Sequence, residues 1–402
     1  MRRCGDRGWS DDDSKYVRMK LRTLDDVDVA GKRALLRSDL NVPLSGGAIA
    51  NDYRIEQSLP TIRELLERGA QRVVICAHLG RPKGTPDPKY SLAPVAARLG
   101  ELLHETVPLA ETPTCPVPDD ARVALLENVR FDARENTNDA GFAQELARLA
   151  DVYVDDAFGA VHRAHASVAA IATLLPSAAG RLLQKEVEVL GRLLENPDRP
   201  YVAVVGGAKV SDKLGVLDNL LKVVDRLVIG GAMCFTFLMA QGMQVGTSLK
   251  EEDQVDHVAH LITQAGDKLL LPTDFVVAEK MEPGAPAHTV KADAIPPDMA
   301  GYDIGKETSR AYVDAVRAAK TVMWNGPMGV FEIPEFESGT RAVAAAVAKG
   351  PAYSVVGGGD SIAALEKFGY ANEIDHASTG GGAMLELLEG KELPGLTPLR
   401  MD

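Results

Sequence analysis

The sequence predicts an α/β protein made of two doubly wound, Rossmann-like parallel-sheet domains joined by a long inter-domain helix. From Lys32 onward, short apolar runs of strand length alternate with segments of helical period, the pattern of parallel strands linked by crossover helices. A stripe of Leu183, Val187, Leu190 and Leu194 repeats at helical spacing over residues 181–195, near mid-chain, and the alternation restarts after it. A chain of 402 residues also exceeds one ordinary core, which favours two domains. The competing interpretation of the 181–195 stretch is a crossover helix inside one large sheet.

The opening MRRCGDRGWSDDDSKYVRMK turns from basic to acidic with no apolar core, so it is not expected to be a secretory leader, and its acids disfavour a transit peptide. Residues 1–18 are expected to be a disordered tail or an upstream extension with Met19 as the true start. RALLRSDLNVPL begins as a strand, and SLPTIRELLERG is a helix with Ile62, Leu65 and Leu66 on one face and Gly69 ending it. QRVVICAHLGRP is the next strand and turn, and SLAPVAARLGELLH the next helix. RVALLENVRF, AGFAQELARLA and DVYVDDAFGAVHRAH continue the series to complete a first domain over residues 1–180. The connector, residues 181–197, is a hinge candidate broken by Asn196 and Pro197.

The second series, over residues 198–389, runs through YVAVVGG, a helix with Leu214, Leu217 and Leu221, RLVIGG, AMCFTFLMAQG, KLLLPTDFVVA, TVMWNGPMG and YSVVGGG. KLLLPTDFVVA is expected to act as one strand of the parallel sheet. Several of these strands end in glycine pairs or triplets or in NGP, which keeps one sheet edge slim where α/β proteins bind ligands. Residues 390–402 carry turn residues without periodicity and are expected to pack back onto the first domain.

Composition narrows the function. A formal charge of -13 argues against non-specific nucleic-acid binding and against an anionic membrane surface. No apolar run is long enough to span a bilayer. Cys4, Cys76, Cys115 and Cys234 are scattered without metal-ligand spacing and read as free thiols of a reducing, cytoplasmic compartment.

Two glycine-rich turns close together, GGGDS at 357–361 and STGGGA at 378–383, each lead from a strand into a helix. Bare N–H groups at two adjacent helix N-termini suit a polyphosphate, although tight turns alone would also account for the glycines. Asp360 or Ser361 is placed to cap the first helix. GGAKVSDK at 206–213 puts Lys209 and Lys213 astride a helix start that Ser211 can cap. Neither G-x-x-x-x-G-K-[ST] nor G-x-G-x-x-G occurs. In WNGPMGVFE, Glu332 could accept from ribose hydroxyls, and Asp360 could reach a phosphate-bound Mg²⁺.

The first domain collects a different chemistry at its strand ends: Asp39 and Asn41, then His78 and Arg81, then Arg130, then Arg163 with His162 and His165 beside it. Arg54 falls in the loop before the first helix. Arginine forks match carboxylate and phosphate oxygens, so several converging on one crevice imply a small anionic ligand, with Asp39 and Asn41 as acceptors for its hydroxyls.

The ordered set SDLNVPL, YRI, AHLGRP, LLENVRF, DDAFGAVHRAHAS, GGAKVSDK, LPTDFVVA, WNGPMGVFE, GGGDS and STGGGA resembles the phosphoglycerate kinase family from about Met19 to Met401. Ser38, Ala50, Tyr53, Cys76 and Lys306 depart from the common pattern without removing a charge the chemistry needs. The resemblance implies reversible phosphoryl transfer between 1,3-bisphosphoglycerate and ADP with Mg²⁺, in a monomer that closes its domains. It implies that Asp39, Asn41, Arg54, His78, Arg81, Arg130 and Arg163 hold the phosphoglycerate. It assigns the nucleotide to Gly206, Gly207, Lys209, Lys213, Asn325, Glu332, Gly358, Gly359, Asp360 and Ser361, with Asp360 at the metal. Arg54, Lys213 and the turn at Gly380 and Gly381 would stabilise the transferring group.

Overall fold

The computed structural model describes residues 20–401, so the expectations for residues 1–18 and for Met19 lie outside the described residues. The first half contains β1 (Arg33–Ser38), a small hairpin of β2 (Leu44–Ser45) and β3 (Ala48–Ile49), α1 (Tyr53–Glu67), β4 (Arg72–Cys76), α2 (Ala93–Leu103), β5 (Val123–Leu125), α3 (Ala140–Ala147), β6 (Val152–Asp156) and β7 (Ser177–Ala179). Its sheet is parallel, in the order β5-β4-β1-β6-β7. The chain starts at the centre, winds out one way, then returns and winds out the other, which sets a switch point between β1 and β6.

Helix α4 (Arg181–Glu195) follows, with the bounds that the leucine stripe gives. Beyond it come β8 (Tyr201–Val205), α5 (Leu214–Val223), β9 (Arg226–Ile229), α6 (Cys234–Ala240), α7 (Val255–Ala265), β10 (Leu269–Leu270), β11 (Asp274–Ala278), β12 (His288–Lys291), β13 (Ala300–Ile304), α8 (Lys306–Ala318), β14 (Thr321–Asn325), α9 (Ser338–Lys349), β15 (Tyr353–Gly357), α10 (Gly359–Phe368), β16 (His376–Ala377) and α11 (Gly381–Leu388). The second parallel sheet has the order β10-β9-β8-β14-β15-β16, with its switch point between β8 and β14. Two separate sheets rule out one large sheet crossed by α4.

The central strands β4, β6, β8 and β14 are buried along their whole length because helices cover both faces, which is why each holds an apolar run of three or more residues. Helix α4 buries Leu183, Val187, Leu190 and Leu193 in one cluster with Phe158 and Val161, with Leu217 and Leu220 of α5, and with Met384 and Leu388 of α11. Leu194 lies at the edge of that stripe and is only partly buried. The N-terminus of α4 is capped from the first half, where Asp156 Oδ1 accepts from the N–H groups of Leu182 and Leu183 at 2.9 and 3.1 Å.

Several local expectations are corrected. Helix α1 starts at Tyr53, so Arg54 lies in its first turn and not in the preceding loop. KLLLPTDFVVA is not one parallel strand, because Pro272 breaks it. Its first part is β10 of the parallel sheet, and β11 instead forms an antiparallel sheet with β12 and β13. At the C-terminus, Met401 N donates to Lys20 O at 2.8 Å, Arg22 N to Leu399 O at 2.7 Å and Gly395 N to Val161 O at 2.9 Å. Among the described residues no helix is long and apolar enough to cross a membrane.

Candidate active site

At the switch point of the first sheet, Asp39 and Asn41 follow β1, and the segment after β6 supplies His162, Arg163 and His165. Arg54 enters from the first turn of α1, where Nη1 pairs with the buried Asp39 carboxylate. Asn41 Oδ1 accepts from Gly80 N at 2.9 Å, and Arg130 Nη1 donates to Gly80 O at 2.8 Å. Asp39 and Asn41, expected as free acceptors, therefore have oxygens already engaged by the protein, and Asn41 retains its amide hydrogens as donors.

Positive charge accumulates here. Burial, then the guanidinium groups of Arg37, Arg163 and Arg81, lowers the Arg130 pKa to about 10. Burial, then Arg37, Arg130 and Arg54, drives His78 well below the usual imidazole value, so it is neutral. His78 Nδ1 lies 3.0 Å from Arg37 Nη2, which can only donate, so Nε2 carries the proton. Arg81 and Arg163 are exposed, and Arg163 Nε donates to His162 Nε2 at 3.0 Å. The contrast with the amino ends of the same strands is informative. There Arg33 is held by Asp151 and Arg72 by Asp119, so the cavity of about 370 Å³ that they help to line is built around ion pairs. Arg54 has its own partner in Asp39, but Arg81, Arg130 and Arg163 form no ion pair among the described residues, and guanidinium groups crowded in this way favour an anionic ligand.

The second half contributes three helix N-termini. Lys213, the residue before α5, folds back so that Nζ donates to Asn325 Oδ1 at 2.7 Å, to Asn325 O at 3.1 Å and to Gly206 O. Burial lowers its pKa to about 8, against the opposing pull of Asp360 and Asp212. A Cβ on Gly206 would stand 2.1 Å from Pro327 O, so only glycine permits this approach of the two loops. Asn325 Nδ2 donates to Gly357 O at 2.9 Å, and Gly326 N donates to Ser361 Oγ at 2.6 Å. Lys209, Glu332 and Asp360 are exposed.

None of the expected side-chain caps forms. Ser211 bonds Glu251 instead, at 2.6 Å from Oγ to Oε1, and α5 begins at Leu214 without a side-chain cap. Asp360 and Ser361 lie inside α10, whose N-cap is Gly358 at φ +94°. Helix α11 begins at Gly381 after Gly380, again with no side-chain cap. Three helices thus leave amide donors without side-chain caps in one neighbourhood, a polarity that attracts phosphate.

The two halves meet at these turns. A Cβ on Gly381 would be 3.4 Å from Gly358 Cα, and one on Gly382 would be 3.4 Å from His162 Nε2. Arg54 Nη2 donates to Thr379 O at 2.8 Å, which ties the arginine-lined edge to the turn that opens α11.

A sequence profile described as phosphoglycerate kinase matches residues 24–391. The chain belongs to the phosphoglycerate kinase family. Similar proteins include the phosphoglycerate kinase of Deinococcus radiodurans, 54% identical over 391 residues and 94% of each chain, and that of Salinispora tropica, 54% identical over 398 residues, 95% of this chain and 100% of the other. Among solved structures, phosphoglycerate kinase from Coxiella burnetii aligns with a TM-score of 0.86 at 44% identity, over 94% of this chain and 99% of that one. The phosphoglycerate kinase of Pyrococcus horikoshii OT3 gives 0.81 at 34% identity, over 94% and 98%. As a member of the phosphoglycerate kinase family, the chain is a phosphotransferase.

Two groups at this phosphoglycerate kinase site escaped the sequence reading. Arg37 is fully buried, with Nε donating to Ser167 Oγ at 3.0 Å, and it fixes the His78 tautomer. A charge inside the strand ALLRS was its only signal. Glu186, buried on α4, accepts from Thr379 N and Oγ1 at 2.7 and 2.9 Å, and its other oxygen lies 2.9 Å from His376 Nε2. A carboxylate within the leucine stripe of α4 was the signal there. The donor set also fits Mg²⁺. Asp360 makes no side-chain hydrogen bond among the described residues, and magnesium asks for one or two carboxylates beside phosphate and water oxygens.

Proposed function

We propose that this chain catalyses reversible, Mg²⁺-dependent phosphoryl transfer from 1,3-bisphosphoglycerate to ADP, giving ATP and 3-phosphoglycerate in glycolysis and gluconeogenesis. The observation that carries the reading is the Arg54 to Thr379 bond, because it joins an arginine-rich crevice to three uncapped helix N-termini. Asp39, Asn41, Arg54, His78, Arg81, Arg130 and Arg163 hold the phosphoglycerate. Gly206, Gly207, Lys209, Lys213, Asn325, Glu332, Gly358, Gly359, Asp360 and Ser361 hold the nucleotide. Asp360 holds Mg²⁺, which when bound neutralises phosphate charge.

In the ATP-consuming direction, a carboxylate oxygen of 3-phosphoglycerate bonds to the γ-phosphorus in line with the breaking bond to the β,γ-bridging oxygen, and ADP departs with that electron pair. The acceptor is already ionised at neutral pH, so no general base is needed, and neutral His78 serves as a hydrogen-bond donor. Arg54 approaches the transferring group from one side and Lys213 from the other, with backbone donors from Gly380 and Gly381. The ligands sit on different domains, assigned to residues 1–180 and 198–389 with 390–402 returning to the first, so catalysis requires closure about residues 181–197. The enzyme acts as a cytoplasmic monomer on small molecules.

ADP release from MgATP by the purified full-length chain tests the reading. Release that requires both 3-phosphoglycerate and Mg²⁺ supports it; nucleotide binding with no stimulation by 3-phosphoglycerate overturns the acceptor assignment.

A further inference from the structure

The start of α1 reaches across the cleft at three successive places. Asn51 Nδ2 donates to Glu366 Oε1 of α10 at 2.7 Å, Tyr53 Oη to Ala377 O at 3.3 Å, and Arg54 Nη2 to Thr379 O at 2.8 Å. Asn51 does two things at once, because its Oδ1 also accepts from Tyr53 N at 2.9 Å and so fixes the first turn in which Arg54 sits. Asp52, the N-cap residue, makes no side-chain cap; its carboxylate is taken by Arg98 of α2 at 2.8 Å. The other end of the Asn51 amide is held by a helix with its own stake in the site. Glu366 lies about two turns along α10 from Gly359 and Asp360.

We infer that Asn51 is a positioning residue that couples the two substrate sites, by linking the helix that carries Arg54 to the helix that carries Asp360. This rests on the ligand assignment proposed above. A nucleotide that draws on the N-terminus of α10 moves or stiffens a helix to which the start of α1 is bonded, and the phosphoglycerate side registers it through Arg54. The coupling is reciprocal, since linkage requires each ligand to change the other's affinity by the same factor.

The cap and the latch can be separated by substitution. Asn51→Asp keeps an oxygen for Tyr53 N but loses the amide donor and sets a carboxylate against Glu366. Adding Glu366→Gln returns an amide to the pair with the polarity reversed. The readout is the ratio of 3-phosphoglycerate dissociation constants measured by calorimetry without and with saturating MgADP, using the full chain. The ratio should move toward one by about three- to fivefold in Asn51→Asp, the scale of an exposed charged contact, and should return in the double variant. A wild-type ratio of one, a ratio unchanged in Asn51→Asp, or no recovery in the double variant overturns the coupling. Failure of the wild-type chain to bind 3-phosphoglycerate at all overturns the ligand assignment itself.

Discussion

Arg54 Nη2 donates to the carbonyl of Thr379 at 2.8 Å while Nη1 of the same guanidinium pairs with Asp39. One side chain thus spans a strand end of the first half and the turn that opens α11, where a transferring phosphoryl group would pass. Neutralising the charge of a loose transition state contributes about 10³ to 10⁵ in rate when an arginine does it. Arg54→Ala is therefore expected to lower kcat by about 10³ or more. It also leaves the buried Asp39 carboxylate unpaired, at a stability cost of about 1–3 kcal/mol. Steady-state rates beside thermal melts check both effects, and a rate loss under about tenfold would remove Arg54 from the transition state.

Gly358 and Gly359 separate the two explanations of the glycine-rich turn. Gly358 has φ +94° and its Cβ would press on Asn325 Nδ2 at 2.9 Å, so the fold itself demands glycine there. Gly359 has ordinary backbone geometry and nothing within 4 Å of its Cβ position. Gly359→Ala should leave the melting temperature unchanged yet raise the KM for nucleotide about fivefold or more, because the methyl group obstructs a phosphate at the start of α10. An unchanged KM would reduce Gly359 to a turn residue.

What the sequence disclosed follows from how local each signal is. The strand and helix alternation and the bounds of α4 are set by the periodicity of apolar side chains, which any window of the chain displays. Many of the candidate site residues could be proposed because they follow strand ends, and the strand-end rule needs no knowledge of the partner, whereas Arg54 stands in the first turn of α1 and Lys213 just before α5. Capping was misjudged because Ser211 had a competitor forty residues away in Glu251, and no local window contains both. The same reason hid Glu186, whose partners Thr379 and His376 come from the far end of the chain. The antiparallel sheet of β11, β12 and β13 was missed because an apolar run interrupted by Pro272 still resembles a single buried strand.

Lys213 sets a pH limit. Burial lowers its pKa to about 8, and under the proposed nucleotide assignment the charged form is the one that meets phosphate. The lysine loses its proton as pH rises through that value, so kcat/KM for the nucleotide, which reports groups of the free enzyme, should fall on the alkaline side with a midpoint near 8. Lys213→Arg, whose charge persists, should shift or abolish that limb while lowering the plateau, since a guanidinium does not reproduce the ammonium bonds to Asn325. An identical alkaline limb in the variant would assign it to another group.

His165 provides a stability test of the arginine cluster. Burial, then Arg130, Arg37 and Arg163, pulls its pKa to about 3 from the ordinary 6.5, although the buried Glu135 carboxylate lies 3.7 Å from its Nδ1, beyond hydrogen-bond reach. Between those two values the unfolded chain binds the proton and the folded chain does not, so protonation favours unfolding. The contribution of His165 is fully present above the unfolded value and is lost as pH falls from 6.5 toward 3. His165→Gln should accordingly flatten the fall in unfolding free energy between about pH 6 and pH 4 by up to about one proton's worth of slope, measured by denaturant titration at each pH. His78 is held neutral by the same guanidinium groups, but it is present in both proteins and cancels in the comparison. Identical slopes would mean that the guanidinium groups beside His165 do not depress its protonation and that the neighbouring Glu135 carboxylate offsets them.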